Sequence, residues 1–138
     1  NPLFAQGLQP LKNYTFGDVA ENEEVNYLII EGCVSLYSAL TELTKKQYPD
    51  LAKQFYEIAN TVYPYGIISL SKTNNIPYEE AEKIFYEKVS KLTDQYILEM
   101  NNNGKKTGSF FKGSFLGEDL NFCHQVTKSL QLVVLESL

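Results

Sequence analysis

The chain has 138 residues, 43% apolar and 21% charged, a composition that fits one globular domain with its own core and excludes global disorder. A formal net charge of -5 repels phosphate and anionic lipid at long range, so neither nucleic acid nor a membrane surface is an expected partner. No apolar run approaches the roughly 20 residues that a membrane-spanning helix needs.

Residues 1–17 carry Pro2, Gly7, Pro10 and Gly17 among Leu3, Phe4, Leu8, Leu11 and Phe16. This reads as an extended arm held by its apolar side chains over a single helical domain formed by residues 18–138. Asn13-Tyr14-Thr15 is a glycosylation sequon, of consequence only in a eukaryotic secreted protein. Asp18 followed by Glu21 resembles a capping box and opens a first helix that runs to about Lys46. Val25, Leu28, Ile29, Gly32, Cys33, Leu36, Leu40 and Leu43 recur at three- and four-residue steps, giving one apolar stripe. Gly32 within that stripe suggests a close helix crossing, since glycine costs about 1 kcal/mol against alanine inside a helix.

Pro49 suits the first position of a second helix, which is predicted to stop near Tyr63, before Pro64. Its inward face is Leu51, Ala52, Phe55, Tyr56, Ala59 and Val62. Within residues 65–75, the run Gly66-Ile67-Ile68-Ser69-Leu70 is short and apolar, and periodicity alone does not separate helix from strand. A lone strand would lack a partner, so helix is predicted. Pro77 begins the clearest helix, extending to about Asn102. Ala81, Ile84, Phe85, Val89, Leu92, Tyr96, Ile97 and Met100 face inward, and Glu79, Glu80, Glu82, Lys83, Glu87, Lys88 and Lys91 face water. Gly104 suits a left-handed C-cap and begins a glycine-jointed loop to Gly117. A last helix spans about Glu118 to Ser137, with Leu120, Cys123, Val126, Thr127, Leu130, Val133 and Val134 inward and Glu118 and Asp119 complementing its dipole. The sum is an all-α bundle of four or five helices crossed by an N-terminal arm.

Cys33 and Cys123 are the only cysteines, and each lies on the apolar face of a different predicted helix. An even count, together with Asn1 where an initiator would stand, is read as an exported chain with one long-range disulfide. The alternative is two separate buried thiols in a cytoplasmic protein. His124 is the one histidine, and neighbours on a helix point about 100° apart, so Cys123 and His124 do not form a nucleophile and base. The carboxylate pairs Glu23-Glu24, Glu79-Glu80 and Glu118-Asp119 stand near helix starts, where dipole complementation accounts for them. Neither phosphate-binding glycine motifs nor G-x-S-x-G is present, and one histidine is too few for a metal site of the usual kind, so no cofactor and no metal are expected.

From residue 101 to 117 there is no acid, while Lys105, Lys106 and Lys112 alternate with Phe110, Phe111 and Phe115. Positive charge and aromatics on an otherwise acidic chain could grip an acidic partner, or the phenylalanines could tuck into the core and leave the lysines in water.

The layout is similar to the small periplasmic helical immunity proteins that block cell-wall amidase toxins of type VI secretion. Those likewise carry cysteines on early and late helices. The likeness rests on Cys33 and on Gly117-Glu118-Asp119-Leu120-Asn121-Phe122-Cys123, a small part of the chain, and no residue role is carried over. The functional expectation is a periplasmic or secreted helical protein that acts by binding a protein partner, inhibitor-like and without catalysis. The alternatives are a cytoplasmic accessory domain with a tyrosine-lined small-ligand pocket between helices and a carboxylate-based hydrolase.

Overall fold

The computed structural model describes residues 8–11 and 22–137, with side chains through residue 130. The apolar side chains expected to hold the arm at positions 3, 4 and 16, the sequon at 13–15 and the capping pair at 18 and 21 lie outside the described residues. Among the described residues the fold is all-helical: α1 Glu23–Thr44, α2 Pro49–Asn74, α3 Tyr78–Thr107 and α4 Leu116–Ser137. No helix among them is long and apolar enough to cross a membrane.

α1 is the axis of the bundle, packed most extensively along α2 and then α3, with α4 against α1 and α2. The cap of α1 is Asn22, whose side-chain oxygen accepts from the backbone N–H groups of Glu24 and Val25 at 3.0 and 3.3 Å. Glu23 and Glu24 then meet the positive end of the helix. The single stripe expected for α1 proves too narrow. Ile29, Cys33, Leu36 and Leu40 enter one core cluster with Tyr96, Met100, Leu116 and Cys123. Tyr27, Ile30 and Val34 enter another with Val62, Ile67, Leu70 and Phe85. A helix apolar on two sides is one surrounded by its neighbours. Leu28, which the stripe included, is instead exposed.

α2 corrects the break expected at Pro64, since one helix runs from Pro49 to Asn74 with Pro64 inside it. An interior proline costs about 3 kcal/mol by propensity. Pro64 is exposed, whereas Val62, Gly66, Ile67 and Leu70 on either side of it are buried, and that packing outweighs the lost backbone bond. The helix ends instead at Asn75 in the left-handed conformation (φ 53°). There Ser71 donates its hydroxyl to the Ile76 carbonyl at 2.6 Å. α3 likewise outlasts its predicted end. Gly104 is helical, and the left-handed cap is Gly108 (φ 80°), whose N–H donates to the Gly104 carbonyl at 2.8 Å. The charged residues assigned to the wet face of α3 are exposed.

Residues 8–11 lie across α1. Leu11 is buried, and its N–H donates to Asp119 Oδ1 at 2.9 Å. Beyond complementing the helix dipole, Asp119 ties this segment to α4. The close approach at Gly32 is to Leu11 and not to another helix, because a Cβ there would stand 2.9 Å from Leu11 Cδ2.

Beside this segment, Glu31 lines a hollow of about 210 Å³ with Leu8, Leu11 and Leu92. Burial holds its carboxyl above the ordinary glutamate range, and the Lys88 ammonium opposes the shift. An acid that binds its proton more tightly when folded contributes stability below its unfolded pKa and loses it as pH rises through the folded value. Glu31→Gln is therefore expected to match the wild type in acid and to melt at a higher temperature once Glu31 ionises. Melting curves from pH 4 to 8 check this, and a gap that does not open with pH would sink it.

Candidate functional site

Cys33 and Cys123 form a disulfide joining α1 to α4, with Cα atoms 5.3 Å apart and both residues 0% exposed. Cys123 is thus committed to a bond, which removes it as a nucleophile, while His124 is exposed on the next position. The carboxylate pairs at 23–24, 79–80 and 118–119 each stand in the first turn of a helix. Among the described residues, no group of three or more histidine, cysteine or acidic side chains is placed to hold a metal.

The lysine-phenylalanine segment is an ordered corner, not an open loop. Lys105 and Lys106 occupy the last turn of α3, where they complement the negative end of the helix. The Asn103 amide donates to the carbonyls of Ser109 and Lys112 at 2.8 and 2.9 Å, and Ser109 Oγ accepts from the N–H groups of Phe111 and Lys112. Phe110, Phe111 and Phe115 are half-buried against the core around the disulfide. Lys105, Lys106 and Lys112 are exposed. The aromatic and cationic side chains that alternate in sequence therefore separate in space.

A second surface is built from α1, α2 and α3. Tyr56 and Tyr63 are seven residues apart on α2, two turns, and so share one face. On α3, Tyr86, Ser90 and Thr93 follow at steps of four and three and share another. Ser38 and Thr41 on α1 leave room between these faces. The result is a cleft of about 380 Å³ lined by these residues together with Glu42 and Asp94. Tyr63 and Tyr86 also border an adjoining hollow of about 450 Å³ with Glu82, Lys83 and Glu87.

The chemistry of the cleft is one-sided. Tyr56 is 57% exposed and Tyr86 64%, large aromatic surfaces left in water on a well-packed bundle. Tyr63 is held by its ring, which stands edge-on to buried Phe85 at 4.9 Å. Burial raises the Tyr63 phenol above its ordinary pKa, and Glu82, Tyr86 and Tyr78 add to the effect. Ser38 Oγ donates to the Val34 carbonyl and Thr41 Oγ1 to the Tyr37 carbonyl, both at 2.8 Å. Their protons are spent inside the helix, and lone pairs remain for the cleft.

Tyr56, expected in the core from its spacing, stands in water, and the spacing alone gives Tyr63 and Tyr86 no role. The signal that could have found them is the paired spacing on α2 and α3, opposite small hydroxyl residues on α1. Leu51, likewise expected inward, is exposed. Another hollow, of about 440 Å³ between α2 and α4, has an apolar floor of Phe55, Ile58 and Leu120 with His124 at its edge. Compared with known proteins, the chain matches no family model, no curated protein and no solved structure.

Proposed function

We propose that this chain is a disulfide-bonded binding domain that works in an oxidising compartment, periplasmic or extracellular, and meets a protein partner through the tyrosine cleft. The observation that carries this reading is the pair of tyrosines, Tyr56 and Tyr86, more than half exposed at a concave surface. Tyrosine is favoured at interfaces because it brings a large apolar face and a hydroxyl with little rotamer entropy. The oxidising compartment is supported by the Cys33–Cys123 bond, since such bonds are rare where thiols are kept reduced.

The corner bearing Lys105, Lys106 and Lys112 is a second reading of the same binding role, favoured by its braced backbone, from which the three exposed lysines project. One experiment separates the two surfaces. Complexes are captured from the native source with the wild type, a Tyr56→Ser/Tyr86→Ser variant and a Lys105→Glu/Lys106→Glu/Lys112→Glu variant, each first shown to melt like the wild type. A partner retained by the lysine variant and lost by the tyrosine variant is the expected result. Loss only in the lysine variant moves the surface to the corner, and a partner kept by both overturns both surfaces.

A further inference from the structure

Several of the groups lining the cleft favour the same kind of guest. Two carboxylates, Glu42 and Asp94, stand with no lysine in the lining, and the adjoining hollow adds Glu82 and Glu87 against Lys83 alone. The tyrosine faces carry the negative side of the ring quadrupole. The hydroxyls of Ser38 and Thr41 have already given their protons to helix carbonyls and can only accept. Aromatic faces, carboxylates and bare lone pairs all call for a flat cation that also carries N–H donors.

We propose that the cleft receives an arginine side chain of the partner protein, its guanidinium against Tyr56, Tyr63 and Tyr86 and within reach of Glu42 and Asp94. The guanidinium stacks on aromatic rings and offers five donors in a plane, where an ammonium offers three from one point. A quaternary ammonium would leave the hydroxyl acceptors unanswered. Glu42 is already paired with Lys45 at 2.6 Å, but both side chains are about half exposed, and an ion pair of that kind is weak enough to exchange. The inference rests on the cleft being the recognition surface and adds what enters it.

The test titrates the 138-residue chain with acetyl-Gly-Arg-Gly-amide and with the same peptide carrying citrulline, which keeps the shape and loses the charge. Binding is followed by NMR of the tyrosine rings. The arginine peptide is expected to shift the Tyr56, Tyr63 and Tyr86 rings and to bind at least about tenfold more tightly than the citrulline peptide. Asp94→Asn is expected to weaken the arginine peptide selectively. Equal binding of the two peptides overturns the inference, as does an arginine response that survives in Tyr56→Leu/Tyr86→Leu, or no response to either peptide. None of these results bears on the capture experiment, which tests the cleft whatever group enters it.

Discussion

Replacing both cysteines, Cys33→Ala with Cys123→Ala, is expected to cost about 4 to 5 kcal/mol of unfolding free energy, because the bond closes a 90-residue separation in the unfolded chain. That is a large part of the roughly 5–15 kcal/mol by which a domain is stable. The loss falls unevenly. α4 makes the smallest share of the packing between helices, and the bond pins it to α1, the helix that all the others surround. Hydrogen exchange in the double variant should therefore show α4 losing protection first, while α1 to α3 keep theirs until global unfolding. Urea midpoints of the wild type and the variant measure the total, and the intact mass of the wild type with and without reductant confirms two hydrogens gained. A loss under about 1 kcal/mol would show that packing alone holds α4, contrary to the closure argument.

The pairing was legible because apolar periodicity placed each cysteine on an inward face, and two sulfurs on facing helices have few other arrangements. The wet face of α3 was legible for the same reason. The misreadings fall where tertiary packing outweighs a local rule. Pro64 reads as a stop, yet Val62, Gly66, Ile67 and Leu70 are buried around it and the helix continues. Gly104 is the cap that the sequence suggests, but Gly104 continues the helix and Gly108 ends it. Only Gly108 takes the positive φ, so the helix gains a further turn and carries Lys105 and Lys106 to its end. Gly32 reads as a helix crossing because a helical stripe contains no sign of the N-terminal segment that brings Leu11 against it. Asp119 shows a limit of another kind. An acid in a first turn has a sufficient explanation in the dipole, and nothing local reveals a backbone N–H from 108 residues away. Tyr56 fits a core stripe on α2 by spacing, and only the position of α3 leaves it in water.

Gly66→Ala is expected to destabilise the protein by about 3 kcal/mol, although helix propensity alone predicts a gain of about 1 kcal/mol for that change. The opposite signs make the experiment decisive. A Cβ at position 66 would fall 2.2 Å from Phe85 Cζ and 2.6 Å from Cε1, distances that no packed pair of carbons tolerates. The ring has nowhere to retreat. Phe85 is 0% exposed, with Tyr63 edge-on at 4.9 Å and Tyr27 tilted at 6.0 Å. Phe85→Leu alone should cost about 1 kcal/mol, and combined with Gly66→Ala it should recover much of the loss, because the smaller side chain vacates the space the methyl needs. Thermal or urea unfolding of the two single variants and the double variant closes the cycle. If the costs simply add, the contact does not decide the effect. The same variant links core to surface. Tyr63 rests on Phe85 and lines the tyrosine cleft, so a displaced Phe85 ring shifts Tyr63 with it. Gly66→Ala should therefore weaken the arginine peptide even at temperatures where the chain remains folded, and Phe85→Leu in that background should restore part of the binding along with the stability.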